Sequence, residues 1–65
     1  METIKHKKLN SYQTEDIIVN VYKNFVHIID TTDLCQIFHL ICYNGESIEF
    51  YESEQAINFL NSIPE

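Results

Sequence analysis

His6, His27 and His39, with Cys35 and Cys42, are the side chains in this sequence that could hold a soft metal or act as base and nucleophile. A zinc site draws on close pairs such as Cys-x-x-Cys or His-x-x-x-His, which put two ligands on one turn or one helix face. Neither spacing occurs, so no metal ligand is expected. A cysteine nucleophile needs an accessible thiol of lowered pKa beside an oriented base. Cys42 with His39 or His27 is the pairing to consider, but both thiols sit in apolar sequence and are expected to be packing residues. A small thiol or metal-dependent enzyme is therefore the weakest of the readings, and no catalytic residue and no cofactor are expected. The sole glycine, Gly45, rules out the glycine-rich phosphate loops of nucleotide-binding folds.

Glu46, Glu49, Glu52 and Glu54 form a second candidate group. They lack the alternating Asp loop of a calcium site and read as a solvated rim. Lys5, Lys7 and Lys8 gather near the start, so residues 9–65 keep Lys23 against nine acids, a net charge of −8. Sequence-independent nucleic-acid affinity comes from clustered Lys and Arg, and direct nucleic-acid binding is disfavoured for so acidic a body. The lysine run falls short of the longer clusters that recognise anionic lipid and is expected to be a solvated terminus. No apolar run is long enough to span a membrane, and no secretory leader pattern is present, so a cytoplasmic location without membrane association is expected.

The elements that would position these side chains begin with Asn44-Gly45, a dipeptide suited to a tight hairpin turn because both central positions need positive φ. With that turn fixed, Ile41 faces Ile48 and His39 faces Phe50 on one side. Cys42 faces Ser47, Leu40 faces Glu49 and Phe38 faces Tyr51 on the other. Ser53 is placed to cap a helix over residues 54–63, with Ala56, Ile57, Phe59, Leu60 and Ile63 on its apolar stripe. Residues 17–29 fit a helical stripe, with Thr14-Glu15-Asp16 as cap. They are dense in β-branched side chains, however, which favour strands. A tight turn at Lys23-Asn24 pairs Val21 with Val26, Asn20 with His27, Val19 with Ile28 and Ile18 with Ile29. One face is then wholly apolar (Ile17, Val19, Val21, Val26, Ile28) and is expected to be the buried one. The other mixes Ile18, Asn20, Tyr22, Phe25, His27 and Ile29. Asp30-Thr31-Thr32-Asp33 separates this hairpin from the next.

The expected fold is α+β, a single small domain over residues 1–65: a four-stranded antiparallel meander of two β-hairpins, with one C-terminal helix packed on one face. Residues 1–12 are either a flexible basic arm or an edge strand. Phe38, Leu40 and Cys42 leave a second apolar face that one helix cannot cover, and a chain this short gains from a partner. The expected function is a small non-enzymatic protein-interaction module, a cytoplasmic regulator or accessory subunit working as a homodimer. Its interaction residues are expected among Tyr22, Phe25, Phe38, Leu40, Tyr51 and Glu49. The alternative is an acidic antagonist that mimics phosphate charge to block a nucleic-acid-binding protein, which requires the acids to line one surface.

Overall fold

A computed structural model of the chain describes residues 4–33 and 35–64. It shows one antiparallel sheet of five strands followed by one helix: β1 (Asn10–Gln13), β2 (Ile17–Val21), β3 (Phe25–Asp30), β4 (Phe38–Tyr43), β5 (Glu46–Phe50) and α1 (Ser53–Ser62). The strands lie in sheet order β1-β2-β3-β4-β5, a meander in which every ladder joins neighbours in sequence. The expected four strands are thus five. The additional one is β1, whose Asn-Ser-Tyr-Gln carries no apolar alternation and is exposed throughout. Its pairing with β2 is fixed by the turn at residues 14–16, where the Thr14 N–H donates to the Ile17 carbonyl at 2.8 Å and the Thr14 hydroxyl accepts from the Ile17 N–H at 3.2 Å. Thr14 is therefore a turn residue and not a helix cap.

The β2–β3 ladder has the expected register, with Val21 opposite Val26, Asn20 opposite His27, Val19 opposite Ile28 and Ile18 opposite Ile29. The β4–β5 ladder likewise puts His39 opposite Phe50, Leu40 opposite Glu49 and Ile41 opposite Ile48. Between them Asn44 has φ 55° and Gly45 φ 79°, the pair of left-handed conformations that a type I′ turn demands and that matches strand twist. Asp30 and Asp33 shape the intervening loop. Their carboxylates accept the Thr32 and Cys35 N–H groups, each at 2.9 Å, in the side-chain-to-backbone manner of Asx turns.

The buried face of the first hairpin is the opposite of the expected one. The helix and the segment ahead of β1 cover the mixed face, on which Asn20, Tyr22, Phe25 and His27 are all buried. Ile17, Val19, Val21, Val26 and Ile28 lie on the uncovered side, half-buried except for the exposed Ile17. The β3–β4 register explains the choice, because His27 opposite Ile41 and Ile28 opposite Leu40 place the mixed face of one hairpin beside the helix-facing side of the other. The core consists of Tyr22, Phe25, Ile41, Ala56, Leu60 and Ile63, with Phe50, Phe59 and Tyr43 packed against it. Tyr22 and Phe25 stack at 4.4 Å between ring centroids. Residues 5 and 6 fasten the N-terminal segment over them: the Lys5 N–H donates to Asn61 Oδ1 at 2.8 Å, and His6 Nε2 donates to the Leu60 carbonyl at 3.0 Å.

Candidate functional site

Two places concentrate side chains beyond what the core needs. The first is a row of polar groups inside the molecule, running His27, His39, Ser53. Adjacent antiparallel strands put both rings on the helix-facing side of the sheet, where they stack at 5.1 Å, and α1 begins above them. His27 Nε2 lies 2.9 Å from His39 Nδ1, and His39 Nε2 lies 2.9 Å from Ser53 Oγ. His27 and His39 are 2% and 4% exposed. Ser53, expected as the helix cap, instead occupies the first helical position behind Glu52, and no side chain caps the helix. Its hydroxyl is taken by His39.

The polarity of this row follows from its one unpartnered atom. His27 Nδ1 is buried without a hydrogen-bond partner among the described residues. An orphaned buried N–H is rarer than an under-used acceptor, so the cheaper arrangement leaves a bare lone pair at Nδ1 and the proton on Nε2. His27 then donates to His39, and His39 donates to Ser53. In that direction Ser53 Oγ is an acceptor from the ring, whereas general-base activation of a serine requires the ring to accept from the hydroxyl. Burial is the main cause that holds the His27 ring below its ordinary value, at about 4, with the nearby His39 and Lys8 charges adding to it. Burial lowers His39 as well. Both rings are neutral at pH 7, and the row is a relay of neutral hydrogen bonds linking β3, β4 and the start of α1. Ser53 and the partner-seeking pair of rings carry no motif spacing. Only the cross-strand register combined with the helix start brings them together.

Cys42 does not join this row. It lies on the other side of β4, with its thiol 3.9 Å from the Ser47 hydroxyl, and Cys35 is exposed in the loop rather than packed. The Cys42 and His39 or His27 pairings are thereby removed, because successive residues of a strand point to opposite faces and Cys42 shares its face with Val26 and not with His27 or His39. Among the described residues no three His, Cys, Asp or Glu side chains converge as a metal would require.

The second place is the outer face of the sheet. Tyr12, Val19, Val21, Val26, Ile28, Leu40 and Cys42 form a continuous surface across β1 to β4. Phe38 and Tyr51 extend it toward β5, with ring centroids 5.3 Å apart. Asp30 and Glu49 share this face toward its margins. Of the six residues expected at an interface, Phe38, Leu40, Glu49 and Tyr51 lie here. Tyr22 and Phe25 do not: they are 6% and 3% exposed, belong to the core, and are lost as contact anchors. The acids do not share one plane, since Glu46 and Glu49 alternate to opposite sides of β5 while Glu52 and Glu54 stand at the helix start.

No helix among the described residues is long and apolar enough to cross a membrane. Set against known protein families, curated proteins and solved structures, the chain matches none of them.

Proposed function

We propose that this chain is a non-catalytic interaction module, a cytoplasmic regulator or accessory subunit, that works as a homodimer through the outer face of its sheet. The observation that supports it is the composition of that face. Three adjacent strands present Val19, Val21, Val26, Ile28, Phe38 and Leu40 with no covering element among the described residues, and of the described strand residues on this face the charged ones, Asp30 and Glu49, lie at its margins. An apolar centre within a polar rim is the anatomy of a specific interface. The need for a second layer is also energetic, because a single sheet-and-helix layer of this size has a core that supplies roughly 3 to 5 kcal/mol. Two such sheets packed face to face would complete a sandwich about 10 Å deep between strand planes.

Sedimentation equilibrium at micromolar concentration is the test. The chain is expected to run as a dimer, and Ile28→Asp or Leu40→Glu is expected to give a folded monomer with unchanged far-ultraviolet circular dichroism. A wild-type chain that sediments as a monomer would refute the proposal. The acidic-antagonist reading draws less support, because Glu46 and Glu49 lie on opposite faces and cannot meet one basic groove together.

A further inference from the structure

The lysines of this acidic chain are not scattered. A cavity of about 350 Å³ lies between the segment ahead of β1 and the β2–β3 turn, and its described lining is Lys5, His6, Lys7, Leu9, Lys23 and Asn24. Lysine is the chain's one strongly basic residue type, and three of its four copies border this space while the formal net charge of the whole is −6. We propose that this cavity is a binding site for a small multivalent phosphate, a phosphomonoester or polyphosphate group.

Three features of the site carry the assignment. Its walls are fastened on several sides. The Lys5 N–H is held by Asn61 at 2.8 Å, the Leu9 N–H by the Val21 carbonyl at 2.8 Å, and the Asn24 side-chain amide donates to the Pro64 carbonyl at 3.3 Å. These tethers hold the backbone of the segment ahead of β1 and the Asn24 side chain in place, which reduces the backbone part of the ordering cost on binding. The His6 ring is fixed in the wall, its Nε2 donating to the Leu60 carbonyl and its plane set edge-on to Phe25 at 5.0 Å. The chemistry of the cations then selects the ligand. Arginine, whose planar fork matches carboxylate and phosphate alike, is absent from this chain, so attraction here rests on ammonium charge and favours the more highly charged anion. Ammonium groups are compact point charges with three donors each, and several converging on one space suit a tetrahedral oxyanion with more than one negative charge. The volume falls in the range of small-molecule pockets. A nucleic-acid backbone is disfavoured because the acidic remainder of the chain would repel it.

The test uses the full chain, titrated with pyrophosphate and followed by amide chemical shifts. Saturable shifts are expected at residues 5–9, 23 and 24, and not with chloride at matched ionic strength. Lys7→Gln and Lys23→Gln are each expected to weaken binding about fivefold, the effect of one exposed charge pair of about 1 kcal/mol. Lys8→Gln removes the same charge from outside the lining and is expected to change it less than twofold. Phosphatidylcholine vesicles doped with a phosphoinositide that compete for the same amides assign the anion to a lipid headgroup. Vesicles that leave those shifts unchanged assign it to a free phosphate. Shifts that grow linearly and equally with chloride, or equal losses for Lys8→Gln and Lys23→Gln, would overturn the site. So would concentration-dependent shifts at residues 46–54, which would mean that the cavity takes the acidic corner of a second copy.

Discussion

Replacing His27 by Phe is expected to flatten the acid side of the stability profile of this domain. In the folded chain the His27 ring is held at about 4, against an ordinary value of 6.5. A group whose folded value lies below its unfolded value binds fewer protons when folded. Between the two values the unfolded chain is therefore favoured by acid, and stability rises with pH across that window. At pH 7 both states are mostly neutral and nothing is lost. At pH 5 the unfolded ring is almost fully protonated while the folded ring is not, a loss of about 2 kcal/mol. Near pH 4 the loss is about 3 kcal/mol, most of the full gap of about 3.4 kcal/mol that about 2.5 pH units at about 1.4 kcal/mol each amount to. His39, also lowered by burial, acts in the same direction. Against a total of roughly 3 to 5 kcal/mol for a core of this size, that loss leaves the wild type with only about 1 to 3 kcal/mol at pH 5. The assay is urea unfolding at several pH values from 7.5 to about 5, followed by circular dichroism at low protein concentration because the sequence pI is about 4.8. Phe fills the ring space and removes the proton site together with the orphaned Nδ1. Its unfolding free energy should fall by about 2 kcal/mol less than that of the wild type over this range. Identical slopes for the two proteins would refute the assignment of the window to His27.

Gly45→Ala should cost about 1 kcal/mol. A Cβ there meets nothing within 4 Å, so the cost is that of a φ of +79° alone, and equilibrium unfolding would show it without change in the fold. Ile41→Ala, at a side chain with 0% exposure under Leu60 and Ala56, should lose about 3 kcal/mol by cavity formation in the same measurement. Ser53→Ala should lose about 1 kcal/mol by leaving His39 Nε2 without its acceptor, and the His39 ring resonances should shift more than the amide of residue 56 does. A helix-capping role would reverse that order. With an aromatic disulfide reagent Cys35 should react at once and Cys42 more slowly, in keeping with an exposed and a half-buried thiol.

Both tight hairpins were legible because each has a short-range cause. Asn44-Gly45 admits positive φ twice, and the runs flanking Lys23-Asn24 align β-branched residues in register. The turn at residues 30–33 was also legible, from aspartates that bond to their own backbone. The buried face of the first hairpin was not. An apolar face ordinarily wins the core, but here the mixed face reaches partners far along the chain: Asn20 accepts from the Ser11 hydroxyl at 2.8 Å, and His27 is satisfied by His39. The first depends on the recruitment of β1 beside β2 and the second on the β3–β4 register, for which the loop of residues 31–37 has no turn dipeptide. The same gap concealed the His27, His39, Ser53 row, whose members come from three elements. It also placed Tyr22 and Phe25 on the wrong side. Strand β1 lacks any apolar period and is recruited by pairing with β2, so composition could not separate it from an arm.

The two contacts from residues 5 and 6 to Asn61 and Leu60 also bear on how the chain reaches this structure. Each ladder of the sheet closes a short loop, which is entropically cheap and rapid. The contacts of Lys5 and His6 span 56 and 54 residues, so they depend on a helix that is already docked. Residues 4–9 are therefore expected to lock last and to open first. In native-state hydrogen exchange they should form a separate unit of low protection, while β3 and β4 exchange only through global unfolding. When that unit opens, it uncovers the stacked Tyr22 and Phe25 and disperses the lysines around their cavity. A bound anion would hold it shut, coupling occupancy of the basic cavity to the integrity of the aromatic core.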